Sequence, residues 1–369
     1  MSETGTVRHL YVHLPFCSHR CGYCDFVTLV GRRGSHAAYV DAVLAELELE
    51  RHSLAPEVAT IFLGGGTPTF TEPGALQRLL AALPPADELT VEANPETVTA
   101  PLAAMLRRSG VTRISLGVQS FQPHLLDTLE RSASPDDVRG AFRLLRDAGF
   151  DNLSLDLIYG IPGQSPADLD ADLREAIALG PEHLSCYELE AKPGTRFIHA
   201  HGDELARQAD AMEGYFEQVV TRLTAAGFRW YETANFCRDE ARDLRSRHNL
   251  AYWLGREYLG LGIGAVSTVG RTRRRNTPRL AAYVDGLAAG RPPPRELEAL
   301  TDEVLMSERL MLGLRLDEPL ALDGLEAALD PAALERLERH GLVARDGRTL
   351  ALTERGRFLG GGVTAELLS

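Results

Sequence analysis

No stretch of the 369 residues comes near the run of about 20 apolar side chains that spans a bilayer. The opening MSETGTVRHLYVHLPF lacks the charged start and long apolar segment of a signal peptide. A cytoplasmic location is therefore expected, where thiols stay reduced. Cysteine is scarce and odd in number: there are five, three of them inside CSHRCGYC at Cys17, Cys21 and Cys24. That argues against a disulfide scaffold and for a metal or redox-cofactor site. A basic excess is missing too. Lys plus Arg is 39 against 52 Asp plus Glu, a net charge of −13, which argues against a nucleic-acid partner. What remains is an ordinary globular composition, 44 % apolar and 25 % charged, with a sizeable core available.

One pattern recurs along the chain: a helical stretch, a glycine, then a short β-rich run. RRSG-VTRISLG, RDAG-FDNLSLD, IALG-PEHLSCY and AAG-FRWYETA break at Gly110, Gly149, Gly180 and Gly227. Glycine just past a helix end supplies the left-handed conformation cheaply. The runs are apolar and short, as for strands covered on both faces. Upstream, HLYVHLPF, VATIFLGGG and ELTVEANP alternate with HAAYVDAVLAELELE, GALQRLLAAL and PLAAMLRRSG in the same way. Repeated βα order predicts a parallel sheet with right-handed crossovers. Six strands to about residue 190 suit an α/β partial (βα)6, TIM-like barrel. A long helix over about 203–226 and an aromatic strand follow.

After residue 235 the rhythm breaks. RHNLAYWLGREYLGLGIGAVSTVG is glycine-rich, RTRRRN reads as a solvated basic loop, and RPPPRE (291–296) reads as a linker. DEVLMSERLMLGLRL and LEAALDPAALERLERHGLV are helical, and VARDGRTLALTERGRFL predicts a hairpin around Asp346-Gly347. The expected units are a partial-barrel core (1–235), an HNLAYW-containing extension and linker (236–296), and a small helical, winged-helix-like C-terminal domain (297–369).

Chemistry in parallel βα barrels collects at the C-terminal strand ends. Here those ends read as the cysteine loop, LGGGTPT, VEANP, GVQS and LDLIYG, so five strands deliver cofactor-grade groups to one rim. Three readings of the cysteines stand side by side. They are bland loop thiols, a zinc site closed by His13 or His19, or an iron–sulfur cube that leaves one iron for a non-protein ligand. The spacing favours the third. Gly65 and Gly66 let a ligand approach backbone closely, while Glu92 and Asp156 read as buried carboxylates or as acceptors on the rim. Gln119 is a strand-end residue, and Arg131 could form a bidentate pair with a carboxylate. Cys186 and Cys237 read as small buried hydrophobes.

CSHRCGYC matches the CxxxCxxC spacing of radical S-adenosylmethionine (SAM) enzymes, with Tyr23 just before the last cysteine. With IFLGGGTPT, TVEANPE, ISLGVQSF, LSLDLIYGIPGQ, HNLAYW (248–253) and MLGLRL (311–316), the chain resembles the oxygen-independent coproporphyrinogen oxidase group over nearly its whole length. Within that group it is most similar to the HemW heme-chaperone family. The resemblance implies that Cys17, Cys21 and Cys24 bind a 4Fe-4S cluster whose open iron SAM chelates. It implies that Tyr11, Tyr23, Gly65, Gly66, Thr67, Glu92, Gln119, Arg131 and Asp156 line the SAM pocket, and that reduction of the sulfonium gives a 5′-deoxyadenosyl radical. HNLAYW resembles a motif associated with heme b, which implies His248, Asn249, Tyr252 and Trp253 as heme contacts. Related oxidases carry a further cysteine two residues after the third cluster cysteine and a longer leading segment. Here that position is Phe26, and only ten residues precede Tyr11. Both departures point away from porphyrinogen decarboxylation and towards a chaperone that hands heme to acceptor proteins, membrane respiratory components among them. Alternatives from other classes are a radical SAM enzyme acting on a porphyrinogen or transferring methyl groups, and a zinc-binding structural protein. Monomer and dimer both stay open.

Overall fold

The computed structural model describes residues 5–192 and 196–368. The six expected strands are β1 (His9–Leu14), β2 (Val58–Gly65), β3 (Ala86–Ala93), β4 (Arg113–Gln119), β5 (Leu153–Tyr159) and β6 (His183–Glu188), all parallel and paired in chain order. Crossovers run through α1 (His36–Glu50), α2 (Pro73–Ala82), α3 (Ala100–Arg108), α4 (Pro135–Asp147) and α5 (Pro166–Leu179). Local chemistry fixes their ends. Ser134 and Ser165 begin α4 and α5 as full capping boxes with Asp137 and Asp168, each followed by a proline. The four predicted helix-ending glycines all take positive φ, between 72° and 89°.

The sheet is larger than expected. β7 (Phe228–Trp230) and β8 (Asn235–Arg238) extend it antiparallel beyond β6, and β9 (Leu259–Leu261) joins parallel to β1 at the other edge. Strand order is β9-β1-β2-β3-β4-β5-β6-β8-β7. The glycine-rich segment therefore supplies an edge strand as well as loops.

Three local expectations need correction. The helix expected at 203–226 is two: α6 (Arg196–Gln208) and α7 (Met212–Ala225), separated by a single 3-10 turn. The basic run is no loop. It is the middle strand β11 (Thr272–Asn276), between β10 (Val266–Val269) and β12 (Arg295–Ala299). RPPPRE thus runs straight into a strand, and its second arginine is an anchor. Arg295 reaches Glu46 at 3.0 Å and Glu50 at 2.8 Å on α1. Arg274 pairs with Glu50 at 2.6 Å. Buried carboxylates on α1 need such partners, and these arginines are the nearest cations.

The C-terminal unit has its own core around Leu310, Leu334, Leu350 and Leu367. It contains α10 (Asp302–Gly313), α11 (Pro331–Arg339) and α12 (Gly360–Leu367), with α8 (Arg247–Trp253) packed beside α10, whereas α9 (Leu280–Ala288) packs on α1 and buries Tyr283 and Leu287 in the main core. Its three-stranded sheet is built from β13 (Leu320–Ala321), β14 (Val343–Asp346) and β15 (Thr349–Leu352), in the order β13-β15-β14. The hairpin falls at Asp346-Gly347 as expected, with Asp346 opposite Thr349.

The strands are not apolar on both faces. Leu10, Val12 and Leu14 of β1, or Ile114, Leu116 and Val118 of β4, pack into the main core beneath the helices. The alternating positions carry Tyr11 and, on β4, Arg113, Ser115, Gly117 and Gln119, which face a cavity of about 640 Å³. A packed parallel barrel fills its interior with branched apolar layers. This one is a polar well, and polar atoms out of bulk water need hydrogen-bonding company there.

Candidate functional site

The cysteine loop sits over the C-terminal end of that well. Phe16–Cys17 pairs with Leu29–Val30 as a short parallel ladder, so the loop leaves and returns at one place. Cys17, Cys21 and Cys24 are free, part-exposed thiols in the cavity wall, and Tyr23 lies beside them. Burial pushes the Cys17 thiol up to about 11 and moves Cys24 in the same direction. Without a cationic centre both stay protonated at neutral pH. Among the described residues no three His, Cys, Asp or Glu side chains converge to hold a single metal ion. The two histidines considered as closing ligands both have protein partners. His13 Nε2 bonds the Val27 carbonyl at 2.8 Å and its Nδ1 the Tyr11 hydroxyl at 3.0 Å. His19 Nε2 bonds the Glu130 carbonyl at 2.8 Å.

The glycine loop after β2 is shaped for close approach. Gly65 has φ +111°, and its N–H donates to Glu92 Oε2 at 3.1 Å. A Cβ on Gly66 would meet the Pro15 carbonyl carbon at 2.6 Å and Cys17 Sγ at 3.0 Å. No larger residue fits between that strand end and the thiol.

A chain of polar contacts joins two of the thiols. Thr67 Oγ1 donates to Cys17 Sγ at 3.6 Å. Asn94 Nδ2 donates to Thr67 Oγ1 at 3.0 Å. Arg131 Nη2 donates to Asn94 Oδ1 and to the Gly117 carbonyl, both at 2.9 Å, and its Nη1 reaches Cys21 Sγ at 3.7 Å. Asn94 escaped the sequence reading, although it alternates with Glu92 at the end of β3. Gln119 reaches the same rim through a bulge between Gly117 and Gln119, with φ +69° at Gln119. Such a conformation is uncommon outside glycine and is typical of a re-aimed side chain.

Deeper in the well stand Glu92, Asp156 and Arg113. Burial, helped by the Asp156 charge, pushes Glu92 up to about 7. Burial also raises Asp156, against the Ser115 hydroxyl, which donates at 2.9 and 3.0 Å. Arg113 is 2 % exposed and its Nε has no partner, as is true of the Thr28 hydroxyl in the same wall. Orphaned polar atoms beside two carboxyls whose ionisation burial opposes fit a polar, partly cationic guest. Free thiols at the mouth fit a cluster.

HNLAYW lies at the other end of the well. It forms α8, across the N-terminal ends of β2 and β3. Glu88 of β3 accepts from the backbone N–H of Arg247 and His248 at 3.2 and 3.1 Å. His248 is 1 % exposed and stacks on Phe62, with ring centroids 5.2 Å apart. Its Nδ1 bonds Thr60 at 2.8 Å and its Nε2 bonds Tyr252 at 3.2 Å, so neither ring nitrogen is open to a metal. His248, Asn249 and Tyr252 line the cavity. Trp253 does not. It packs against Tyr231, Leu250 and Leu316, with Arg315 over its ring at 5.0 Å.

Comparison with known proteins gives the family and the fold. Residues 11–176 match the Radical SAM superfamily and residues 300–359 the HemN C-terminal domain. Heme chaperone HemW of Mycobacterium tuberculosis is 38 % identical, over 97 % of this chain and 94 % of that protein. Heme chaperone HemW of Bacillus subtilis is 34 % identical, over 98 % and 99 %. The chain belongs to the HemW family. Its fold is that of the coproporphyrinogen III oxidase HemN of Escherichia coli, with a TM-score of 0.81 and 23 % identity over 98 % of this chain and 90 % of that one. In this HemW-family chain Phe26, the departure noted beside the cysteines, stands at the cavity edge and is 62 % exposed. No helix among the described residues is long and apolar enough to cross a membrane.

Proposed function

We propose that this HemW-family chain is a cytoplasmic heme chaperone. It binds a 4Fe-4S cluster through Cys17, Cys21 and Cys24, SAM in the well beneath, and heme b, which it passes to acceptor proteins such as membrane respiratory components. The observation that carries this reading is the contact chain Cys17–Thr67–Asn94–Arg131–Cys21 around the glycine loop. Two thiols, two donors and an open backbone are held as one unit at the mouth of a polar cavity. When bound, the cluster supplies an electron and SAM a reducible sulfonium.

The chain's own residues have distinct tasks. Thr67 and Arg131 donate towards thiolate sulfur, which stabilises the ionised ligands. Gly65 and Gly66 let the end of β2 close on His13, Pro15 and Cys17, which holds the cysteine loop against the sheet. Glu92 and Asp156 offer carboxylate oxygens to an ammonium or to ribose hydroxyls. The wall partly shields these groups from bulk water, which strengthens each contact relative to a fully exposed one.

Anaerobic reconstitution tests the reading. The expected product is brown, with about four irons and four sulfides per chain, binds SAM, and develops a Soret band on heme addition. A colourless protein with stoichiometric zinc removes the cluster assignment. Protoporphyrinogen formation without stable heme binding replaces the chaperone by an enzyme.

A further inference from the structure

The HNLAYW motif has an architectural role that its chemistry alone does not suggest. Helix α8 closes the well from below, fixed at several points. Glu88 takes its first two N–H groups, and the Ser246 hydroxyl accepts from the Asn249 N–H at 3.3 Å. The Ser246 N–H in turn donates to the Tyr231 hydroxyl at 3.2 Å, and that hydroxyl bonds His183 Nε2 of β6 at 2.8 Å. The helix is therefore bolted to β3 and β6, on two sides of the barrel interior.

From that floor one hydrogen-bonded chain runs into the cavity. His9 Nδ1, at the half-buried start of β1, bonds Thr60 Oγ1 at 2.9 Å. The same hydroxyl bonds His248 Nδ1 at 2.8 Å, and His248 Nε2 bonds the Tyr252 hydroxyl at 3.2 Å. Tyr252 is held from another side by Tyr258, edge-on, with ring centroids 4.5 Å apart. Tyr252 is one of the residues that line the well.

We propose that His248 is a positioning residue: through Thr60 and His248 the barrel floor fixes the Tyr252 hydroxyl as a hydrogen-bonding contact for the nucleotide cofactor in the well. This rests on the SAM assignment made above.

The electrostatics agree with the geometry. Burial, with His9 and Arg113 adding to it, lowers His248 to about 3, and burial with neighbouring arginines lowers His9 to about 4. Both imidazoles are neutral at physiological pH, so each carries one donor and one acceptor nitrogen. If His248 holds its proton on Nδ1, Nε2 accepts from Tyr252, and the phenol oxygen offers lone pairs to the ligand. With the proton on Nε2, the phenol O–H points to the ligand instead. One buried ring thus selects what Tyr252 presents. Axial ligation of heme by His248 would require breaking the Tyr252 contact and opening a ring that is stacked on Phe62.

The test uses the full chain with its cluster reconstituted anaerobically, and reads SAM affinity by equilibrium dialysis beside heme titration by the Soret band. Tyr252→Phe should weaken SAM binding roughly tenfold, the scale of one buried hydrogen bond. Thr60→Val should weaken it severalfold. The double variant should be no weaker than Tyr252→Phe alone, because Thr60 acts through that hydroxyl. His248→Ala should weaken SAM binding severalfold, as Thr60→Val does, with iron content at the wild-type level. Full additivity of the two losses, or unchanged SAM affinity in Tyr252→Phe, overturns the proposal. So does a lost Soret band in His248→Ala with SAM affinity intact, which makes His248 a heme ligand. Failure of the wild-type chain to bind SAM is a different result: it removes the cofactor assignment itself, and this proposal with it.

Discussion

Arg131 donates to Asn94 Oδ1 at 2.9 Å, and the same guanidinium stands 3.7 Å from Cys21 Sγ. Asn94 is thus the joint between the two halves of the thiol support, since its amide nitrogen serves Thr67 on the Cys17 side. Asn94→Leu keeps the approximate volume and removes both bonds. Thr67 and Arg131 each lose one of their partners, at about 1 kcal/mol apiece, and keep only Cys17 on one side and Gly117 and Cys21 on the other. We expect a folded protein with a lowered melting temperature whose cluster is lost faster on air exposure than in wild type. Iron content followed over time measures this. Retention equal to wild type would show that the joint does not matter to the cluster.

Gly66→Ala is expected to be more damaging than its single methyl group suggests. The new carbon would sit 2.6 Å from the Pro15 carbonyl carbon and 3.0 Å from Cys17 Sγ. Both neighbours belong to the strand that starts the cysteine loop, so relief must move a cluster ligand. Overpacking of this kind costs about 1–3 kcal/mol. The predicted outcome is a modest loss of stability in urea and a large loss of reconstituted iron. Normal iron loading would contradict the close fit.

The order of β1 to β6 was legible because strands and helices alternate throughout, three of the five crossover helices (α3, α4 and α5) end on a glycine and each strand is short, signals that are local in sequence. The polar well was legible in principle. His9, Tyr11 and His13, or Arg113, Ser115, Gly117 and Gln119, alternate with apolar neighbours. Serine and glycine blur that alternation, so the strands read as uniformly buried. Asn94 was overlooked for a related reason: an asparagine before proline looks like turn chemistry. Contacts between distant segments were out of reach. Arg295 meets Glu46 across 249 positions, and no propensity in RPPPRE announces a strand that pairs with the arginine run. The motif at 248–253 announced its residues but not their orientation, which Thr60 and Glu88 decide from the barrel side.

Arg295 bears on stability rather than on the cavity. It is almost wholly enclosed, between Glu46 and Glu50. Burial opposes ionisation of Glu50, yet Arg274 and Arg295 hold it below the usual carboxylate range. Removing Arg295 leaves buried Glu46 without a counter-charge while Glu50 keeps Arg274, and one broken buried pair costs about 3–5 kcal/mol. Arg295→Met should therefore lower the melting temperature markedly, and adding Glu46→Gln should recover part of the loss. Thermal unfolding of the three proteins checks the ordering. A single variant as stable as wild type would mean that the pairing contributes little.

Glu92 should give the cofactor-free chain a distinctive pH response. Unfolded, the carboxyl loses its proton near the ordinary glutamate value of 4.5, whereas folded it does so at about 7, because burial and the neighbouring Asp156 disfavour the charge. Below the lower value both states hold the proton, and the contribution of this group to stability is fully present. Between the two values the unfolded chain is ionised and the folded chain is not, so stability falls as pH rises. Above about 7 the loss is complete and levels off, on the order of 3 kcal/mol for a shift of this size. Glu92→Gln removes the term. In urea unfolding at pH 5 and pH 8, wild type should lose stability between the two conditions, and the variant should lose clearly less and be the more stable of the two at pH 8. A cationic ligand in the well should reverse the wild-type trend by favouring the ionised carboxylate, so SAM affinity is expected to rise with pH through 7 in wild type and to be flat in Glu92→Gln. Identical pH slopes for the two proteins would show that Glu92 is already ionised in the folded chain.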